Sequence, residues 1–176
     1  IREKLAENAP GHKIELVPLE PHRQVQLGEA FTLEPIRVAH SIPDAVALAI
    51  RTPAGLCVHT GDFKMVGPGI PPEGTDLERL DELGTEGVLL AVSDSTNALE
   101  PGLCPSEADV AEALTDLFAT SPGRILVTQF ASNLERLSTI VALTARFGRQ
   151  LVLEGRSLNQ YARLAEESGL LRLPPG

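Results

Sequence analysis

Val38-Ala39-His40-Ser41-Ile42-Pro43-Asp44 and Val58-His59-Thr60-Gly61-Asp62-Phe63-Lys64 are the two stretches on which the fold turns. Each starts as an apolar run of strand character and breaks at turn-forming residues just where a side chain able to bind metal stands. Between them, residues 45–51 and 55–60 form two further strand patterns, joined by the turn composition Thr52-Pro53-Ala54-Gly55. Alternate passes of such a sheet leave at the same edge, so His40 and Asp62 can meet in space. A neutral imidazole and a carboxylate, both held close to the backbone, suit a divalent ion such as zinc or manganese.

Three more stretches extend the pattern: Leu90-Ala91-Val92-Ser93-Asp94-Ser95-Thr96-Asn97-Ala98, Phe130-Ala131-Ser132-Asn133 and Gly155-Arg156-Ser157. In this order and context the set resembles the metallo-β-lactamase superfamily in the form carried by its β-CASP nucleases, and the ribonuclease J family above all. The stretches around His40 and Asp62 are similar to its third and fourth metal motifs. The resemblance covers nearly the whole chain and is weakest in the first 30 residues.

The fold class expected is α/β: part of a metallo-β-lactamase αββα core over residues 1–102, then the first half of an α/β β-CASP domain over 103–176. A single α/β domain with an internal loop is the alternative. The boundary rests on a change of pattern near Pro101-Gly102-Leu103-Cys104-Pro105. Before it, strands are expected at 13–18, 31–39, 45–51, 55–60 and 88–92. A loop is expected at 67–74, and a helix at 76–83 capped by Thr75. Beyond it, helices at 107–119, 133–147 and 158–168 alternate with short strands at 124–129 and 150–153, the pattern of a parallel α/β layer.

Composition sets limits. The 176 residues are 43% hydrophobic but only 3% aromatic, so Leu, Val, Ala and Ile must build the core. A net charge of −9 excludes a protein that coats nucleic acid with a general basic surface, while leaving room for a local RNA channel. Cys57 and Cys104 lack Cys-x-x-Cys spacing and are expected as reduced thiols, which fits a cytoplasmic protein. No apolar run reaches membrane-span length, and Ile1-Arg2-Glu3-Lys4-Leu5 is no signal peptide. The opening segment reads as the tail of an amphipathic helix, and the chain as a piece of a longer protein.

The resemblance implies roles for named residues. Asp62 would bridge two divalent ions, zinc or manganese, and His40 would ligate one of them; Asp62 and Asp94 are the candidate catalytic residues. Asp94 would orient a ligand or handle a proton, although an Asx turn or helix cap explains it equally well. His59 is expected beneath the site, supporting it by packing and hydrogen bonding. Ser132 and Asn133 sit where a helix opens and could contact RNA phosphate, or simply cap that helix. Arg156 could meet phosphate or lie solvated. Glu135 stands where the family commonly has a His, and a negative charge there would weaken RNA binding. The family's first His-rich metal motif and its late His motifs are not in this sequence, so the chain alone is expected to be inactive.

The activity implied is that of an RNA-processing and RNA-degrading nuclease, 5′-to-3′ exonucleolytic and endonucleolytic, with RNA as partner and a homo-oligomeric parent protein. Two rivals stand beside it. One is another metallo-β-lactamase-fold hydrolase acting on thioesters or lactones, which the pattern after residue 105 argues against. The other is a non-catalytic module that binds RNA or a partner.

Overall fold

The structure, a computed structural model, describes residues 1–64, 74–102 and 105–174. Most of the loop expected at 67–74, and Cys104, lie outside the described residues. After a short helix α1 (Arg2–Asn8), five strands build one sheet: β1 (Val25–Leu27), β2 (Phe31–Arg37), β3 (Val46–Thr52), β4 (Gly55–His59) and β5 (Val88–Val92). Their order in the sheet is their order in the chain. The first four pair antiparallel, whereas β5 joins β4 in parallel. A parallel neighbour needs a crossover, and helix α2 (Leu77–Glu86) lies in that connection.

Strand alternation decides which face α2 covers. Ile36, Ala47, Ala49, Leu56 and Val58 are buried together with Leu83 of α2. Small alanines at 47 and 49 let the helix approach the sheet closely, and Leu83 fills the gap with no exposed surface. Truncating such a leucine costs about 2–5 kcal/mol.

A charge is buried beside these residues. Glu34 is 2% exposed. Its carboxylate accepts from Arg79 Nε at 2.6 Å and Nη2 at 3.0 Å, and from Arg51 Nη1 at 2.8 Å. Arg79 and Arg51 also reach Glu86, and Arg79 reaches Glu82. The network ties α2 to β2 and β3.

The second half contains α3 (Glu107–Thr120), α4 (Leu134–Arg146) and α5 (Arg156–Glu167). Phe118, Ile140 and Leu143 form one apolar cluster; Leu137, Val141, Ala162, Ala165 and Leu171 form another. Leu151 packs against both.

Several expectations about elements need correction. Residues 13–18 alternate like a strand but are irregular and exposed: among the described residues nothing pairs with them, and alternation alone makes no ladder. The pairing at the sheet edge falls instead to Val25–Leu27, a segment too short to signal itself. Residues 124–129 and 150–153 also form no ladder. Ile125, Leu151 and Leu153 pack on helices. The other side of these segments is uncovered, with Leu126 at 86% and Val152 at 80% exposure. Two short segments without further strands are weakly stabilised as a sheet. Helix α2 is capped by Asp76, whose carboxylate accepts from Arg79 N–H, and it runs through Gly84 to end at Gly87, at φ 96°. No helix among the described residues is long and apolar enough to cross a membrane.

Candidate functional site

Strands β2, β4 and β5 point the same way, so the residues that follow them gather at one sheet edge. There His40 Nε2 lies 3.9 Å from Asp62 Oδ2. This is ion-pair range and too long for a hydrogen bond. The imidazole is mostly enclosed, while the Asp62 side chain is 80% exposed. Asp94 follows β5 and is bound to the same turn: its N–H donates to Thr60 Oγ1 at 3.0 Å, and Thr60 N–H donates to the Val92 carbonyl at 3.0 Å. The Asp94 carboxylate accepts the Thr96 N–H at 2.8 Å. That bond is the main reason its pKa lies below the usual carboxylate value, with smaller contributions from the Phe63 backbone and the His40 charge.

Local chemistry fixes both loops. Gly61 adopts φ 60°, and a Cβ there would sit 3.1 Å from the Val46 carbonyl, so the turn before Asp62 requires glycine. His59 Nδ1 accepts the Gly61 N–H at 3.0 Å. His59 is exposed and shapes the turn that delivers Asp62, rather than packing beneath the site as expected. On the other loop, Asp44 closes the turn after His40 at φ 58°. Lys64 N–H donates to the Ala39 carbonyl at 2.7 Å, joining the two loops directly. The Thr75 hydroxyl accepts from Ala39 N–H at 3.0 Å and donates to the Lys64 carbonyl at 3.4 Å. Thr75, expected as a helix cap, is therefore a clamp between the loops.

His40 Nδ1 is buried with no hydrogen-bond partner among the described residues. A ligating histidine normally engages its second nitrogen with an acceptor that fixes its tautomer. It is the other ring nitrogen, Nε2, that faces the exposed Asp62 carboxylate, and an imidazole nitrogen and a carboxylate are donor types that suit a divalent ion. Among the described residues no three His, Cys, Asp or Glu side chains are grouped to hold an ion. His40 and Asp62 alone fall short of the three protein ligands that a catalytic zinc usually needs.

The beginning of α4 is linked to this edge through Glu107, which pairs with both Lys64 and Arg136. Asn133 is buried; its Oδ1 accepts the Arg136 N–H at 3.0 Å and its Nδ2 donates to Glu107 Oε1 at 3.3 Å. It caps the helix, and both ends of its amide are engaged. Ser132 beside it is half-buried, and Glu135 is exposed in the first helical turn. Arg156 opens α5 and is exposed. The site's geometry therefore joins His40, Asp62 and Asp94, while Arg156 stands on a separate element.

Residues 122–176 match the family model described as the β-CASP domain of ribonuclease J. A ribonuclease J of Thermus thermophilus is 40% identical over 158 residues, covering 90% of this chain and 28% of that protein. A ribonuclease J of Synechocystis sp. is 40% identical over 174 residues, covering 99% of this chain and 27% of that protein. Over most of its length the chain is similar to a part of ribonuclease J. It spans little more than a quarter of the length of these relatives. In fold it is similar to a crystal structure of a protein of unknown function from Enterococcus faecalis V583, with a TM-score of 0.53 at 22% identity over 85% of this chain and 40% of that one.

The ribonuclease J motifs signalled the strand ends but not what holds them. Thr60, Thr75, Lys64 and Glu107 carry the bonds between loops and helices, and sequence reading passed over Thr60, Lys64 and Glu107. Ser106 and Asp109 form a capping box at the start of α3. Nothing local announced that Glu107 would reach residues as distant as Lys64 and Arg136.

Proposed function

We propose that the chain carries one edge of a metal-dependent ribonuclease site, with residues 1–102 from the metallo-β-lactamase part and 103–176 from the β-CASP part. The observation that carries this reading is the meeting of His40 and Asp62 at 3.9 Å from two separate strand ends. His40 would hold one divalent ion, and Asp62, with two oxygens exposed to solvent, would bridge two. Zinc is favoured, with manganese as the other candidate. When bound, the ions would supply Lewis-acid stabilisation of charge on the phosphate and activation of the nucleophile.

The chain's own residues do the positioning. Thr60 ties Asp94 to the turn that delivers Asp62, and Asp94, kept ionised by the Thr96 N–H, orients a ligand or accepts a proton at its carboxylate. Ser132, the N–H groups opening α4, and Arg156 would meet RNA phosphates. The substrate is RNA, cleaved by 5′-to-3′ exonucleolytic and endonucleolytic routes in the cytoplasm by a homo-oligomer. With two ligands of a larger set, this chain alone is inactive.

Titration calorimetry of the 176-residue chain with zinc and manganese, paired with an RNA cleavage assay, tests the reading. The expected result is weak binding of either ion, lost in Asp62→Asn, and no cleavage. Robust, chelator-sensitive cleavage by the chain alone would show that other residues form the site.

A further inference from the structure

Glu107 is the first residue of α3, yet the helix start does not depend on it: Ser106 and Asp109 cap each other reciprocally. Its side chain instead turns toward two other elements. Oε1 accepts from Asn133 Nδ2 at 3.3 Å and Arg136 Nη2 at 3.0 Å, and Oε2 accepts from Arg136 Nε at 3.1 Å. Lys64 Nζ lies 3.6 Å from Oε1. The carboxylate is 15% exposed. Burial pushes its pKa up, but the bonds from Arg136 and Asn133 and the nearby Lys64 charge together hold it below the usual value.

Both ends of this contact are anchored. Lys64 stands two residues after Asp62; its own N–H is bonded to the carbonyl of Ala39, next to His40, and its carbonyl to the hydroxyl of Thr75, just before α2. Asn133 caps α4, and Gln129 Nε2 donates to the Asn133 carbonyl at 3.3 Å. A continuous polar path therefore runs from the His40–Asp62 edge through Lys64 and Glu107 to the first turn of α4. An ion pair with one enclosed carboxylate and a two-bond arginine is geometrically specific, unlike a solvated pair.

We propose that Glu107 is a positioning residue that registers the α3–α4 unit on the edge carrying His40 and Asp62. Glu107 touches no reacting atom. It sets where Ser132 and the α4 N-terminus stand relative to Asp62. The consequence for RNA rests on the ribonuclease reading above; the register itself does not.

Amide hydrogen exchange on the 176-residue chain tests the register without any activity. In Glu107→Gln, exchange at the Lys64 amide and at the Arg136 amide should both rise, on the order of tenfold, while β2 and β3 stay protected. In Lys64→Met, a change on the opposite side of the contact, the Arg136 amide should loosen in the same direction. Loosening confined to α3 and α4 in the first variant, with the Lys64 amide unchanged, would overturn the proposal. So would an unchanged Arg136 amide in Lys64→Met, which also decides the matter if Glu107→Gln fails to fold.

In the full-length protein, kcat/KM for RNA should fall several-fold in each single variant. The double variant should be no worse than Glu107→Gln alone, and Glu107→Asp should recover part of the loss. Losses that multiply would mean the two residues act independently and would refute the coupling. A full-length protein that cleaves no RNA would sink the ribonuclease reading while leaving the exchange result to decide the register.

Discussion

Replacing Glu34 by Gln removes the carboxylate buried between the sheet and α2. Hydrogen bonds from Arg79, and with them the bonds and charge of Arg51, outweigh burial and hold Glu34 at a pKa of about 2, against 4.5 ordinarily. At about 1.4 kcal/mol per unit, that depression corresponds to roughly 3 kcal/mol of native-state stabilisation at neutral pH. The sign follows from linkage. A depressed carboxylate pKa gives stability that is fully present above 4.5 and is lost as pH falls toward 2. The Glu34→Gln change would leave Arg79 with Glu82 and Glu86, and Arg51 with Glu86, so the arginines keep partners. The loss should therefore lie near the lower end of the roughly 3–5 kcal/mol seen for broken buried pairs. Urea unfolding of both proteins at pH 7 and pH 3.5 is the assay. The wild type should exceed Glu34→Gln by about 3 kcal/mol at pH 7 and by only about 2 kcal/mol at pH 3.5. A difference below about 1 kcal/mol at pH 7, or one that does not shrink in acid, would refute the electrostatic account of this network.

The site yields further expectations. Gly61→Ala should cost about 1–2 kcal/mol in urea unfolding, because the left-handed backbone there penalises a Cβ and the Val46 carbonyl crowds it; an unchanged midpoint would mean the turn is freely adjustable. In the full-length protein Asp62→Asn should abolish RNA cleavage with the fold retained, whereas His59→Ala, which removes only a bond to the Gly61 N–H, should reduce it partially. The opposite ranking in a cleavage assay would reverse the ligand assignment. Glu135→His should tighten RNA binding in filter-binding or anisotropy measurements, most at low salt, where screening is weak. It should also cost roughly 0.3–1 kcal/mol of stability, because an acidic residue in the first turn favours the helix dipole. Affinity unchanged at low salt would place Glu135 outside the RNA path.

The sheet from β2 to β5 was legible because its signals are local. Apolar runs, the turn Thr52-Pro53-Ala54-Gly55 and breaks at His40 and Gly61 each lie within a few residues of the structure they specify. Helices α3, α4 and α5 were legible for the same reason: Ser106 and Asn133 cap two of them, and Gly148 and Gly169 follow the ends of α4 and α5 at φ 61° and 72°. The segments at 13–18, 124–129 and 150–153 misled because a strand is a property of two segments. Their composition was suitable, but among the described residues no partner completes a ladder. β1 was missed for the converse reason, since three ordinary residues become a strand only beside Phe31–Leu33.

The same division runs through the candidate site. His40 and Asp62 could be named from sequence because each follows a strand and alternate passes bring such ends together, whereas Asp94 was named through the resemblance to the ribonuclease J family. What holds them could not be named. Thr75 contacts Ala39, Thr60 contacts Asp94, and Lys64 contacts Glu107, each across more than thirty residues and by hydrogen bond or charge alone. Hydrophobic periodicity marks burial over short windows and carries no record of which polar groups will meet. Glu34 makes the point most sharply. At the sequence level it is a charge interrupting an apolar strand. In the fold it is the carboxylate that holds Arg51 and Arg79, and with them α2, against the sheet. A buried charge in a strand pattern is thus the one local sign that a distant opposite charge must exist, because an unpaired carboxylate there would cost several kcal/mol.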